Sequence, residues 1–287
     1  MRIIHSKKIT AAVSDLCIQA NIVLRKDVLA SLKAALKKET DSRAKKILEA
    51  IIQNALIARR EKSAICQDTG LPIVFVELGR DLKINGDLKK AIQKGVELGY
   101  KKGYLRNSII SDPLSKRVSP GYVPSVIHFD LVKGNKLRLT VLPKGFGCEN
   151  KTQLRMFLPT AAIVEIKRFI LEAVKAAGPD ACPPFVLGVG IGGTADYAAF
   201  LAKKALLRKI TTPHLRAGNL YHTRKSVVRL AGELLRTINR LNIGPMGLGG
   251  KTTCLGVNIE TYPTHIAGLP VALNLSCHAL RSASKTI

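Results

Sequence analysis

Residues 182–194 read CPPFVLGVGIGGT, and the fold is read outward from them. Pro183 and Pro184 end whatever precedes, Phe185–Val189 is a short apolar run of strand type, and glycines follow. From Thr194 to about Arg208 the apolar spacing becomes helical. Strand, glycines and helix in mid-chain point to a mixed α/β (α+β) fold. Gly188-x-Gly190-x-x-Gly193 also spells the dinucleotide fingerprint in a strand-to-helix setting. The acidic residue that should follow about twenty positions on is missing, because Arg208–Arg216 contains no Asp or Glu. A nicotinamide oxidoreductase is therefore the weakest reading. The glycines are instead expected to form a tight turn that exposes amides beside Cys182.

Upstream, Ser6 to about Arg60 reads as a helical lead-in. Ile9, Val13, Leu16 and Cys17 form one stripe, Val28, Leu29, Leu32 and Leu36 a second, and Ile47, Leu48, Ile51, Ile52 and Leu56 a third. Ile73–Leu78 reads as a strand and Asp87–Lys102 as a helix closing at Gly103. Ser125–Val132 and Lys136–Leu142 are β-rich, and Lys133-Gly134-Asn135 between them is a hairpin signal. Helices are expected near Thr160–Ala177 and Arg224–Leu241, and strands at Thr253–Glu260 and Val271–Ser276. A mixed sheet with glycine-rich loops thus follows the helical lead-in, and residues 1–287 are expected to form one catalytic domain.

The chain has 287 residues, 46% of them hydrophobic, enough for a substantial core. No apolar run approaches the ~20 residues that span a bilayer. The start, Met1-Arg2-Ile3-Ile4-His5-Ser6, has no apolar h-region, so a cytoplasmic location is expected. The formal charge is +26, which raises a second class of reading, a basic nucleic-acid-binding protein. Against it, the cations are dispersed over polar helix faces, aromatics are 5% and Trp is absent, which leaves little to stack bases on. Gly249-Gly250-Lys251-Thr252 resembles the end of a P-loop, but Pro245 stands where its first glycine should be. A loop gathering amides around an anionic cluster or a carboxylate fits better.

Of the six cysteines, Cys17 and Cys254 lie on helix-like and strand-like patterns and read as buried structural thiols. Cys66, Cys182 and Cys277 differ, each lying beside Gly, Pro or a polar residue. They are 116 and 95 residues apart, which suits neither a zinc loop nor a CxxC pair. Three separated thiolates suit a metal cluster that keeps one position open.

The segments ICQDTGL (65–71), GYLR (103–106), KGFGCEN (144–150), CPPFVLGVGIGGT (182–194), IGPMGLGGKTT (243–253), YPTHIAGLP (262–270) and CHA (277–279) complete the picture. In this order they resemble the alpha subunit of the two-subunit, iron–sulfur-dependent class I fumarate hydratases, the family that also holds the L-tartrate dehydratases. The resemblance implies a hydro-lyase with a 4Fe-4S cluster held by Cys66, Cys182 and Cys277. It implies acid–base roles for Asp68 and His265, and substrate contacts from Gln67, Arg106, Gly145 and Gly147.

Fumarate, hydrated to L-malate in the tricarboxylic acid cycle, is the first expected substrate and L(+)-tartrate the alternative. Single-chain members continue into a second domain, so a beta subunit carrying the rest of the site is expected. Three departures stand out: Gly121-Tyr122-Val123-Pro124 replaces a polar segment, Cys148 replaces a serine as a possible extra thiol near the cluster, and Arg208–Arg229 is unusually basic.

Overall fold

Periodicity decides most of the elements found in the computed structural model, which describes residues 2–115, 119–210 and 225–287. The helical lead-in is three helices after a short strand: β1 (Arg2–His5), α1 (Ser6–Ile22), α2 (Lys26–Lys38) and α3 (Ser42–Glu61). Next come β2 (Leu71–Gly79), β3 (Leu82–Asn85), α4 (Leu88–Lys102), β4 (Val126–Val132) and β5 (Leu137–Lys144). Then follow α5 (Phe146–Glu149), β6 (Gln153–Phe157), α6 (Ile163–Ala177), β7 (Phe185–Gly193) and α7 (Ala195–Ala205). The last are α8 (Lys225–Asn239), β8 (Cys254–Thr264), β9 (Leu269–Ser276) and β10 (Ala283–Thr286). The mixed α/β class is borne out. Arg224 and most of the unusually basic run lie outside the described residues.

The chain divides into two units. The first is Met1–Arg25, Asn54–Phe146 and Arg281–Ile287; the second is Lys26–Gln53 and Gly147–Leu280. The first contains a four-stranded sheet in the order β10-β5-β2-β4 and a two-stranded parallel pair, β1-β3. Val74 and Val76 of β2, Leu139 and Val141 of β5 and Ala283 of β10 share one core with Ile9, Val13 and Leu16 of α1 and Ile92 and Val96 of α4. Asp87 caps α4, its carboxylate accepting from the Lys90 N–H at 2.9 Å.

The expected hairpin of β4 and β5 does not form. The strand β2 lies between them, parallel to β4 and antiparallel to β5. The 133–136 turn instead wraps the end of β2: Gly79 N–H donates to Lys136 O, Arg80 N–H to Val132 O and Asp81 N–H to Gly134 O. Acceptors that a hairpin would use internally are thus taken by the chain after β2.

In the second unit the sheet order is β6-β9-β7-β8, with β7 parallel to β8 and antiparallel to β9. Alternation divides its two faces. Leu187, Val189, Leu273 and Leu275 join a core with Ile170 and Val174 of α6 and Leu234 and Ile238 of α8. Ala272, from the opposite face, joins Ala198 and Ala202 of α7.

The glycines of β7 differ from the expected tight turn. They continue the strand, and a Cβ at Gly188 would lie 2.1 Å from Ala202 O, one at Gly190 2.0 Å from Ala198 O. Gly188 and Gly190 let the backbone of α7 lie directly on the sheet, whereas Gly192 and Gly193, with φ +93° and +72°, meet the Tyr262 backbone and the Tyr197 side chain.

Candidate functional site

In the first unit, the segment between α3 and β2 is pinned at Ile65. Its N–H donates to Asn21 O (3.0 Å) and its carbonyl accepts from Asn54 Nδ2 (2.8 Å). Cys66 follows half-buried and Gln67 exposed. Asp68 then folds its carboxylate back over the chain. Oδ1 accepts from the Gly70 N–H at 3.0 Å, an Asx-turn, and Oδ2 accepts from the Phe146 N–H at 2.8 Å.

Tyr100, buried on α4, lies with its hydroxyl 2.8 Å from Thr69 O and 3.2 Å from Gly70 O. Burial pushes its phenol far up, which keeps it a donor. Thr69 Oγ1 accepts from the Arg106 N–H at 3.0 Å. Gly70 has φ +73°, and a Cβ there would lie 2.8 Å from the Lys144 backbone, so the loop is seated on the end of β5.

This unit therefore brings Cys66, Asp68, Gly145 and the backbone of Arg106 to one loop cluster, with the Gln67 and Arg106 side chains exposed. The amide that meets Asp68 is that of Phe146, between the two glycines predicted to line the site. Gly145 keeps the approach open, since a Cβ there would stand 3.1 Å from Asp68 Oδ2. Two buried cations in this unit escaped the sequence reading. Lys144 sends Nζ toward Gly145 O at 3.4 Å, and Arg281 donates from Nη2 to Asp68 O at 2.6 Å. Only the position of Arg281, four residues past Cys277, could have signalled it.

In the second unit Cys182 caps a 3-10 turn (Gly178–Ala181) with φ +48°, a left-handed backbone uncommon for a residue with a Cβ. His278 fixes it: the His278 N–H reaches Cys182 O at 3.4 Å and the ring Nδ1 reaches the same oxygen at 3.0 Å. A carbonyl only accepts, so Nδ1 carries the ring proton. Cys182 and the Cys277-His278 pair are thereby tied together.

Cys148, expected as a possible extra thiol near the cluster, is buried in the core with its Sγ–H donating to Ala181 O at 3.1 Å. Gly147 is exposed, and a Cβ there would stand 3.6 Å from Asp180 O. His265 lies exposed in the β8–β9 turn, where Nδ1 accepts from the Ala267 N–H at 3.2 Å.

The 243–253 loop docks on the residues flanking Cys182 through Met246 N–H to Pro183 O at 2.8 Å. Further amides of the loop are engaged within or beside it. Gly244 N–H donates to Thr253 Oγ1, Gly249 N–H to Ile243 O and Gly250 N–H to Asn242 Oδ1. Lys251 N–H donates to Glu39 Oε2 at 2.7 Å. One amide of this loop, that of Lys251, thus meets a carboxylate, that of the buried Glu39.

The six cysteines separate physically into two sets. Cys17, Cys148 and Cys254 are buried, while Cys66, Cys182 and Cys277 are half-buried. Burial pushes the Cys17 and Cys254 thiols up to about 12, so both stay protonated at neutral pH. By donor type and exposure the second set fits thiolate ligation and the first does not. Cys66 belongs to one unit, Cys182 and Cys277 to the other. Among the described residues no group of three or more His, Cys, Asp or Glu side chains is gathered to hold a metal ion.

Known proteins match this chain over nearly its whole length. A family model described as fumarate hydratase (Fumerase) matches residues 10–286. A Methanocaldococcus jannaschii protein, "Putative L(+)-tartrate dehydratase subunit alpha", is 41% identical over 98% of both chains. The "L(+)-tartrate dehydratase subunit alpha" of Escherichia coli strain K12 is 28% identical over 96% of this chain and 89% of its own. With its seven motifs in order and a match this complete, the chain belongs to the fumarate hydratase (Fumerase) family of hydro-lyases.

Proposed function

We propose that this chain is the alpha subunit of a 4Fe-4S-dependent hydro-lyase that removes water from a small hydroxydicarboxylate, L(+)-tartrate in the first place. The division of the cysteines carries the cluster assignment: Cys66, Cys182 and Cys277 are half-buried while the other three are core thiols. Both relatives named above are called tartrate dehydratase subunits alpha, which favours tartrate. The family description keeps fumarate, the first substrate expected from the sequence, as the second reading.

Dehydration removes a weakly acidic C–H proton and expels hydroxide, which leaves as water once protonated. When bound, the cluster supplies a Lewis acid for that hydroxyl. Asp68 moves the proton at the hydroxyl. Each of its oxygens accepts one amide bond, and a carboxylate has lone pairs left for a further proton or donor. Arg106, exposed at the loop, pairs with one substrate carboxylate through its planar fork. Gln67 donates its amide to the substrate, the Gly145 and Gly147 segment admits it without a side chain in the way, and His265 serves as the second acid–base group. Residues 1–287 act together as one catalytic domain.

A beta subunit supplies the remaining cations of the site, in line with the relatives' designation as subunits. The cytoplasm is the proposed location; among the described residues no helix is long and apolar enough to cross a membrane.

Anaerobic copurification with a co-expressed beta subunit tests the reading. L(+)-tartrate should be turned over faster than fumarate or D-tartrate, with brown colour and absorbance near about 400 nm. The chain alone should be inactive, because a dicarboxylate held from one side keeps too much freedom. Colourless protein that binds nucleic acid, or fumarate hydration by the isolated chain, would overturn it.

A further inference from the structure

Three charged side chains among the described residues are buried: Glu39, Lys144 and Arg281. Glu39 is answered by backbone amides, Oε1 accepting from Thr40 and Asp41 and Oε2 from Lys251. Arg281 is not answered in this way. It is 3% exposed, and its one hydrogen bond among the described residues, from Nη2, goes to the neutral carbonyl of Asp68. Nε and Nη1 have no acceptor among the described residues.

The nearest carboxylate in this loop, that of Asp68, is turned onto the amides of Gly70 and Phe146. A buried guanidinium without an anion is strongly disfavoured, so the fold holds this charge for a reason that its own side chains do not supply. The Cβ position of Gly145 lies 3.1 Å from Asp68 Oδ2 and 3.9 Å from Arg281 Nη2, so a side chain there would press on both groups.

We propose that Arg281 is an anion-binding residue of the Cys66–Asp68 loop, holding the loop through Asp68 O and presenting Nε and Nη1 to a negatively charged group bound there. This rests on the hydro-lyase reading only for the identity of the anion. Two sources share the chemistry, a substrate carboxylate and a thiolate-bound iron–sulfur cluster. Lys144, which sends Nζ toward Gly145 O in the same unit, adds positive charge to the loop. Arg106 is exposed, so the proposal gives the loop an inner cation behind the outer one.

The test uses the full chain, cluster-free, with L(+)-tartrate, fumarate or sulfate against chloride at matched ionic strength. The readouts are the thermal midpoint and the rate of Cys66 alkylation. A carboxylate site predicts a higher midpoint and slower alkylation with the dicarboxylates, weakened at least about tenfold in Arg281→Gln. Arg281→Lys should keep part of the effect, and exposed Lys83→Gln all of it.

A cluster site predicts no anion effect on the free chain. Reconstitution would then give iron–sulfur absorbance that bleaches several-fold faster in Arg281→Gln and Arg281→Lys than in wild type. If Arg281→Gln does not fold, Arg281→Lys carries both arms. Equal behaviour of wild type and folded Arg281 variants in both arms overturns the proposal, with water then satisfying the guanidinium. A reconstituted, active complex showing that equality would refute Arg281 alone and leave the hydro-lyase standing.

Discussion

Cys182 and His278, 96 positions apart in sequence, are joined at a single oxygen: the carbonyl of Cys182 receives both the backbone N–H and the ring Nδ1 of His278. One proposed ligand thus has its left-handed backbone held by the residue next to another. The histidine thereby holds the backbone that carries the proposed ligand.

Replacing His278 by Ala should therefore loosen two cysteines at once. We expect a stability loss of about 1–2 kcal/mol and faster loss of iron–sulfur absorbance in air, with His278→Asn recovering part of both through its amide N–H. Wild-type cluster lifetime in His278→Ala would remove this role.

The cysteine sets predict opposite phenotypes. Cys66→Ser, Cys182→Ser and Cys277→Ser should each lose iron–sulfur absorbance with little change in melting temperature of the cluster-free chain. Cys17→Ser and Cys254→Ser should keep the absorbance and lose about 1–3 kcal/mol, because a hydroxyl replaces a buried thiol. Full cluster content in the Cys182 variant would dismantle the three-thiolate assignment.

Alkaline pH should expose the buried set. The Cys17 and Cys254 thiols titrate near 9.0 when unfolded and near 12 when folded, so the unfolded chain gives up its protons first. Their contribution is fully present below about pH 9 and declines as pH rises toward 12. The slope is about 1.4 kcal/mol per pH unit for each thiol. Urea unfolding across this range should show a smaller slope in a Cys17→Ala, Cys254→Ala double variant; an unchanged slope contradicts the burial argument.

Asp68 has two jobs that substitution can separate. Asp68→Asn keeps the size and one acceptor but loses the charge, so turnover should fall by about 100-fold or more while stability drops by about 1–2 kcal/mol. Asp68→Ala should cost more stability, because the Gly70 and Phe146 amides both lose their acceptor. Near-normal turnover in the Asn variant would leave Asp68 as a loop staple only.

Two glycine substitutions should have opposite signs. Gly190→Ala drives a methyl to 2.0 Å from Ala198 O, and we expect a loss of about 3 kcal/mol or no folding. Gly232→Ala, within α8, meets nothing closer than Arg236 Nη1 at 3.6 Å and should stabilise by about 0.5–1 kcal/mol. Chemical denaturation distinguishes the two.

The lead-in helices and the run from Phe185 into α7 were legible because their apolar periods are local properties. The partnership of β2 with β4 was not: that parallel pairing joins Ile73 to Val126 across an intervening helix, and the Gly134 turn looks the same whether it closes a hairpin or wraps another strand. The glycines of β7 misled for a related reason, since a turn and a close helix contact demand the same missing Cβ. At the candidate site the motif residues were readable one by one. The buried supports were not: Tyr100, Lys144, Arg281 and the ring of His278 acquire their roles only from what the fold brings to them.

The last strand sets the order in which the chain can mature on the ribosome. The first unit contains β1 and α1 from the start of the chain, yet its sheet needs Ala283–Thr286 of β10 at one edge and Arg281 beneath the Asp68 loop. All of Gly147–Leu280 is synthesised between the earlier strands of this sheet and those residues, so the sheet cannot close before that stretch has been made. Until then Cys66 sits on an unfinished support, since Arg281 has yet to reach the Asp68 carbonyl.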